Sequence, residues 1–315
     1  MSRPLARWRH LATFCGVEMI RAYLHKLKQA TFAVHMPEPK AQGLPLPRGT
    51  GFFVSPRGLL LTARHVITKN GTPDGPLRED IGSLTLMKEL RGVDKAGKPI
   101  GGEVCVGATL LHDDPVADIA LLKVADGEPA QREWLKERGG EFPSVRLASA
   151  LLDEGDEVFA FGYPLSSGGL LYPGPEIFVG TMTHSPRVTS AIVASAVEAA
   201  GMITESGPPL RYVLDKALNY GNSGGPIASA GSGLVHALCS SFQPVLVPQL
   251  HLRNAGGQVP SIVIPSLYGV VLNTSHPRVR VPLEQQGVQY APQPSRLWSR
   301  LLRFLRRPFK EPIKS

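Results

Sequence analysis

A single serine, Ser223, lies in the glycine-rich run Gly221-Asn222-Ser223-Gly224-Gly225. Glycine tolerates backbone angles that other residues avoid, so the chain can bend sharply there and leave the serine hydroxyl exposed. The same bend can aim neighbouring N–H groups at one point, which suits the negative oxygen that develops when a nucleophile attacks a carbonyl. The run is a candidate nucleophile loop, although a plain glycine-rich turn has the same composition.

A serine hydroxyl needs a base within hydrogen-bond reach, and the base needs a third group that fixes its tautomer. His65 follows the second of two apolar stretches joined by a Ser-Pro-Arg-Gly turn. Asp118 stands at the start of a continuous apolar stretch, where a buried carboxylate requires a partner such as a histidine N–H. His65, Asp118 and Ser223 are therefore predicted to act as base, orienting acid and nucleophile.

Three strings that carry these residues, TARHV (62–66), ADIALLKV (117–124) and GNSGGP (221–226), resemble the trypsin-like serine proteases, and most of all the HtrA (Deg) type. The resemblance covers roughly residues 30–275. The order histidine, aspartate, serine along the chain is that of the chymotrypsin-like double barrel. The resemblance implies an all-β fold of two six-stranded antiparallel β-barrels and a serine endopeptidase that works through an acyl-enzyme. Its catalytic residues would be His65, Asp118 and Ser223.

The same match assigns further site residues. The backbone N–H groups of Gly221 and Ser223 would bind the oxyanion of the tetrahedral intermediate. Ala217, six residues before the serine, would form the floor of the primary substrate pocket, and an alanine there offers no counter-charge to lysine or arginine. The pocket wall is expected to include Cys239, Ser240 and Ser241. Such a pocket would favour small aliphatic residues before the cleaved bond.

The glycine and proline content and the short apolar runs between these residues agree with an all-β fold. The 315 residues include 33 glycines and 29 prolines, which suits a fold with many turns. We expect an N-terminal helical extension (1–30), a protease domain (31–276), and a Pro-rich linker with a basic C-terminal helix (277–315), with residues 242–265 forming a long insertion. The apolar runs that predict strands are 31–36, 50–54, 59–63, 83–87, 103–111, 119–124, 157–161, 177–182, 212–215, 234–241 and 267–272.

The three cysteines, Cys15, Cys105 and Cys239, are far apart, odd in number and match no zinc spacing. The sequence therefore predicts no disulfide framework, no metal site and no cofactor. The N-terminus is basic but lacks a clear signal peptide, and no apolar run approaches the length of a spanning helix. These features together favour a cytoplasmic location, with the option of peripheral attachment to a membrane.

Positive charge is concentrated at the two ends. Residues 1–30 carry six Lys and Arg against one Glu, and residues 277–315 carry nine Lys and Arg against two Glu. The combined net charge of these two ends exceeds the net charge of the whole chain, which is +8. The body between them is net negative, which disfavours nucleic acid as a partner. The segment Ser295–Arg307 has leucines and a phenylalanine on one helical face and arginines on another. It can pack on its own domain, lie on an anionic membrane surface or bind a protein partner, besides the polypeptide substrate of the protease.

Two alternative functions stay open at this point. One is an effector protease that is silent until a membrane or partner recruits it. The other is a catalytically inactive relative that serves as a binding module. The intact set His65, Asp118 and Ser223 argues against the inactive form.

Overall fold

The computed structural model describes twelve stretches of the chain, in which antiparallel β-strands dominate. The all-β fold class predicted from the sequence is confirmed. Of the N-terminal extension, the described residues 23–30 are helical (α1), and Leu27 of this helix is buried in the main core. The described residues are 23–35, 48–88, 103–105, 107–125, 140–164, 169–171, 179–181, 186–196, 207–216, 218, 221–248 and 261–292.

The first half of the protein is a seven-stranded antiparallel sheet. Its strands in chain order are β1 (Thr31–His35), β2 (Gly49–Ser55), β3 (Leu59–Ala63), β4 (Thr85–Met87), β5 (Glu103–Cys105), β6 (Ala108–Asp114) and β7 (Ile119–Val124), and their order across the sheet is β5-β4-β1-β2-β3-β7-β6.

This sheet is rolled up on itself. Cys105 ends one edge strand and Ala108 begins the opposite edge strand, and three Cα steps span at most about 11 Å. The two edges must therefore approach each other. Among the described residues no ladder joins β5 to β6, which is where this half differs from the closed six-stranded barrel expected.

The second half is a closed six-stranded barrel with order β14-β9-β12-β13-β16-β15, because β14 also pairs with β15. Two short strands, β8 and β17, extend the β15 edge in parallel, and β10 and β11 form a separate ribbon. The bounds are β8 (Leu147–Ala148), β9 (Glu157–Gly162), β10 (Gly169–Leu171), β11 (Val179–Thr181), β12 (Arg187–Ser195), β13 (Arg211–Leu214), β14 (Pro226–Ser229), β15 (Val235–Pro248), β16 (Ser261–Asn273) and β17 (Tyr290–Ala291).

The segment 242–265, expected as an insertion, partly continues the barrel hairpin. Strand β15 runs on to Pro248 and β16 begins at Ser261, and the two stay paired through Val247 and Ile262. The described residues of this segment therefore lengthen two existing strands.

The segment expected as a Pro-rich linker is part of the folded body up to residue 292. Helix α2 (Pro277–Gln285) begins with a proline at its first turn, and the His276 side chain accepts the N–H of Arg278 as a cap. Val279 and Leu283 are buried in the main core, so apolar burial holds the helix although Pro282 lies inside it. The basic segment Ser295–Arg307 lies outside the described residues.

Candidate active site

His65 and Asp118 are brought together by the register of two neighbouring strands. His65 lies in a 3₁₀ turn (Arg64–Ile67) that directly follows β3, and Asp118 directly precedes β7. Because Ala63 pairs with Ile119 in the antiparallel ladder, residues 53 positions apart in sequence become neighbours. The ring Nδ1 of His65 lies 2.8 Å from Oδ2 and 3.1 Å from Oδ1 of Asp118.

The carboxylate of Asp118 is almost completely buried, with 1% exposure, and is held by several donors. One oxygen accepts the backbone N–H of His65 at 3.0 Å, and the other accepts the Ser240 hydroxyl at 2.7 Å. A buried carboxylate is tolerated only when such donors compensate its lost hydration. Because the carboxylate only accepts, it favours the tautomer with the proton on Nδ1, which leaves Nε2 of His65 free to act as a base.

The loop that carries Ser223 is pinned between the two halves of the protein. Gly224 donates its N–H to Cys239 at 2.6 Å, and the Ser223 carbonyl accepts the N–H of Thr50 at 2.7 Å. Gly224 has φ of 82°, and a Cβ there would lie 2.2 Å from the Thr50 carbonyl oxygen. Only glycine fits this conformation and this space, so the glycine run has a steric role.

Ser240 links the serine to the buried carboxylate. Its backbone carbonyl accepts the Ser223 hydroxyl at 3.4 Å, while its own hydroxyl donates to Asp118. His65, Asp118 and Ser223 therefore share one local cluster. Within the described residues, no hydrogen bond joins the Ser223 hydroxyl to His65, and the two residues are linked only through Ser240 and Asp118.

Several backbone N–H groups of the serine loop have no acceptor among the described residues. The Asn222 carbonyl accepts the N–H of Gly225 at 2.7 Å, and a trans peptide aims its C=O and N–H in opposite directions, so the Ser223 N–H points away from that bond. No described residue accepts the N–H of Gly221 or Ser223. This arrangement is suited to binding an anionic oxygen.

The predicted pocket wall is not brought together as a set of side chains. Cys239 is 2% exposed and packs in the core of the closed barrel, where burial raises the pKa of its thiol. Ser240 is the extra residue of a bulge between β15 and β16, and a bulge re-aims its side chain, here towards Asp118. Ser241 is exposed. Ala217 lies outside the described residues.

Sequence reasoning missed two residues that hold the site, Thr50 and Arg64, and the contact that a third, Ser240, makes with Asp118. The Thr50 hydroxyl donates to the Gly221 carbonyl at 2.6 Å, and its position between two glycines of β2 was a usable signal. The Arg64 side chain binds Asp113 at 2.6 Å and also the carbonyls of two residues in the loop after His65. The contact of Ser240 with Asp118 had no local signal, because it depends on the bulge.

The fold, a closed six-stranded antiparallel barrel beside a second antiparallel sheet, is that of the trypsin-like serine proteases. A family model described as "Trypsin-like peptidase domain" matches residues 49–238, and the chain belongs to that family. The enzyme class predicted from the sequence, a serine protease, is confirmed at this level. Within the described residues no group of three or more His, Cys, Asp or Glu side chains could hold a metal ion.

Several known proteins are similar to this chain. A "Probable periplasmic serine endoprotease DegP-like" of Rickettsia conorii is 25% identical over 228 residues, which are 72% of this chain and 34% of that protein. A protein of the same name from Rhizobium meliloti is 27% identical over 209 residues, 65% of this chain and 31% of the relative. The chain therefore spans about a third of the length of these relatives.

Two solved structures show a weaker similarity to this chain. The MamO protease domain of Magnetospirillum magneticum is 18% identical with a TM-score of 0.42, and covers 77% of this chain and 94% of its own. The HtrA-type protease AlgW with a decapeptide is 16% identical with a TM-score of 0.47, and covers 84% of this chain and 67% of its own.

The cytoplasmic location expected from the sequence is wrong by this comparison. The relatives from Rickettsia conorii, Rickettsia prowazekii and Rhizobium meliloti are all named as probable periplasmic proteins. The expectation rested on the cysteine pattern together with the lack of a clear signal peptide and of a long apolar run. The cysteine pattern is a weak signal of location, because a fold held by apolar cores needs no disulfide in any compartment. None of the described helices has the length and apolar character required to cross a bilayer.

Proposed function

We propose that this chain is a serine endopeptidase in which His65, Asp118 and Ser223 form the catalytic triad. The observation that carries the proposal is the contact of His65 Nδ1 with both oxygens of a carboxylate that is 1% exposed. This contact fixes the ring orientation and stabilises the imidazolium that forms during the reaction. The family implies polypeptides as substrates.

In the proposed reaction, the Ser223 hydroxyl attacks the carbonyl carbon of the peptide bond and gives its proton to Nε2 of His65. The protonated ring then donates that proton to the leaving amine, which releases the C-terminal fragment and leaves an acyl-enzyme on Ser223. Water, deprotonated by the same nitrogen, hydrolyses the ester and restores the serine. Asp118 stays ionised throughout.

The backbone N–H groups of Gly221 and Ser223 are proposed to bind the oxyanion. Support comes from the absence of a described acceptor for either group, and from the Asn222 carbonyl, which is turned towards Gly225. Loss of one such donor typically costs about 3 kcal/mol of transition-state stabilisation.

Cleavage after small aliphatic residues is proposed from Ala217 and from the lack of charge at 239–241. A peptide library that varies the residue before the cut measures this directly. Products that end in Val, Ala, Leu or Ile are expected. Products that end mainly in Arg or Lys would overturn the assignment.

A second candidate function is an effector protease that stays silent until it is recruited. It is favoured by the Ser223 hydroxyl, which donates to the Ser240 carbonyl at 3.4 Å and forms no described bond with His65. The test compares turnover of one peptide with and without vesicles of anionic phospholipid. Turnover that requires the vesicles supports this candidate, and equal turnover supports the constitutive enzyme.

We also propose that the protein acts in the periplasm, in keeping with the names of its relatives. Fractionation of the native host, with the chain expressed from its own locus, would test this location. Recovery with periplasmic marker enzymes is expected.

The main proposal is tested by digestion of an unfolded protein substrate. Ser223→Ala should lower turnover by about six orders of magnitude, as in other triads. The matched control is Ser190→Ala, because Ser190 is an exposed serine on β12, away from the cluster. Equal activity of the wild type and Ser223→Ala would reject Ser223 as the nucleophile, and a wild type without activity towards any peptide would favour the binding module.

A further inference from the structure

The turn before Asp118 is held in an unusual conformation. Asp118 has φ of 55°, and it is the one non-glycine residue with positive φ in the described stretches. Side chains other than glycine rarely adopt this region, and such a residue persists only when its surroundings over-determine it. The position of the Asp118 carboxylate therefore depends on whatever fixes the preceding residues.

Asp114 fixes those residues directly. Its Oδ1 accepts the backbone N–H of Val116 at 2.8 Å and that of Ala117 at 3.0 Å. One carboxylate oxygen thus caps both peptides that immediately lead into Asp118. Aspartate commonly stabilises a turn in this way, by accepting the N–H groups two and three residues ahead.

The other oxygen of Asp114 is held by helix α2. Arg278 Nη1 lies 2.9 Å from Asp114 Oδ2, and Arg278 is next to Val279, which is fully buried. A further arginine, Arg211 of β13 in the closed barrel, donates to the Val116 carbonyl at 2.8 Å. The turn is therefore held by the Asp114 side chain within it, by Arg211 from the closed barrel and by Arg278 from helix α2.

We propose that Asp114 is a positioning residue for the carboxylate of Asp118, and that its ion pair with Arg278 makes helix α2 part of the catalytic framework. The inference rests on the proposed triad and extends it to a residue pair 164 positions apart. Asp114 touches no reacting atom. It acts by holding the strained turn, and through Asp118 it sets the direction of the His65 ring.

Graded variants separate the two contacts of Asp114. Asp114→Asn keeps an oxygen for the two N–H groups but loses the ion pair, and Asp114→Ala loses both. Arg278→Gln removes only the helix contact. The matched control is Arg280→Gln, because Arg280 lies on the same helix and its described contacts, Glu284 and Tyr290, stay within the C-terminal segment.

The expected result is a fall in kcat with KM unchanged. Small displacements of catalytic groups can cost about 100-fold; we therefore expect about 100-fold for Asp114→Ala and about 3- to 10-fold for Asp114→Asn and Arg278→Gln. Arg280→Gln should match the wild type. If Asp114→Ala fails to fold, Asp114→Asn and Arg278→Gln decide the question.

A second readout does not depend on turnover. We expect the proton between His65 Nδ1 and Asp118 to give a separate low-field NMR signal in the wild type. This signal should broaden or shift in Asp114→Asn and Arg278→Gln and stay in place in Arg280→Gln. An unchanged signal and unchanged kcat in both variants would overturn the positioning role. A wild type with this signal but without peptidase activity would instead count against the proposed function alone.

Discussion

The backbone N–H of Thr50 donates to the backbone carbonyl of Ser223 at 2.7 Å, so a strand of the first sheet directly holds the serine loop of the second half. The Thr50 hydroxyl donates to the Gly221 carbonyl at 2.6 Å and accepts the N–H of Tyr163 at 3.0 Å. Thr50 is fully buried. One residue thus connects β2, the residue that follows β9 and the loop that bears Ser223.

Thr50→Val should impair both stability and catalysis, because the isosteric valine removes the hydroxyl and leaves the Gly221 carbonyl and the Tyr163 N–H without this partner. A buried polar group left unpaired costs about 1–3 kcal/mol. We expect a loss of this size in the free energy of unfolding measured with urea. We also expect kcat to fall about tenfold or more, which corresponds to a rise of about 1.4 kcal/mol in the activation barrier. Thr50→Ser keeps the hydroxyl and should retain most of the activity. Equal activity of the valine and serine variants would show that the hydroxyl does not hold the loop.

Gly224→Ala should be far more damaging than an alanine at another left-handed glycine. A Cβ at Gly224 meets the Thr50 carbonyl at 2.2 Å and the Thr62 hydroxyl at 2.4 Å, whereas at Gly155, with φ of 85°, nothing lies within 4 Å. Gly155→Ala should therefore lower the free energy of unfolding only by the cost of placing an alanine at positive φ, about 1 kcal/mol. The thermal midpoint of Gly224→Ala should fall well below that of Gly155→Ala, by the equivalent of about 3 kcal/mol or more. Similar midpoints would contradict the tight contact between the two halves.

Arg64→Gln should destabilise the protein, since Arg64 is 8% exposed and its guanidinium binds Asp113 at 2.6 Å and the Gly75 carbonyl at 2.8 Å. Its loss leaves a partly buried carboxylate and a carbonyl without their donor, at a cost of about 1–3 kcal/mol. The matched control is Lys69→Gln, which breaks an exposed pair with Glu79 and should cost less than about 1 kcal/mol. The free energy of unfolding in urea measures both, and a larger effect at Lys69 would be inconsistent with this structure.

The contribution of Asp114 to stability should vanish in acid. Partial burial pushes the pKa of Asp114 up, but the N–H groups of Ala117 and Val116 and the Arg278 guanidinium push it further down, so that it lies below the ordinary 3.8. A lowered pKa in the folded state gives stability that is present above pH 3.8 and is lost as the pH falls through the folded value. The difference in unfolding free energy between wild type and Asp114→Asn should be about 1 kcal/mol near neutral pH and shrink below pH 3.8. A difference that stays constant down to pH 2 would contradict the charge-based explanation.

The sequence predicted what is encoded locally. His65, Asp118 and Ser223 each stand in a short distinctive string, and most strands of the first sheet contain continuous apolar runs. The site residues and these strands were therefore visible in the local sequence. Strand β12 (Arg187–Ser195) was missed because Arg, Thr and Ser interrupt its apolar residues, and pairing with β9 and β13 decides its state.

Features that depend on contacts between residues far apart in the chain could not be predicted from the sequence. Ser240 was expected to line a pocket, but a one-residue bulge turns its hydroxyl towards Asp118, 122 positions away. The prolines of 277–292 suggested a linker, whereas Val279 and Leu283 bury a helix against the core. In both cases tertiary packing overrides the local pattern.

Labelling with a fluorophosphonate probe measures directly whether Ser223 is an activated nucleophile, on which the proposed triad depends. The probe requires a serine whose proton is removed by a neighbouring base while an oxyanion site is available. We predict a single adduct on Ser223 by peptide mass analysis, lost in Ser223→Ala, strongly slowed in His65→Ala, and unchanged in Ser190→Ala. A wild-type protein that takes up no probe, or takes it up equally when His65 is replaced, would contradict the triad.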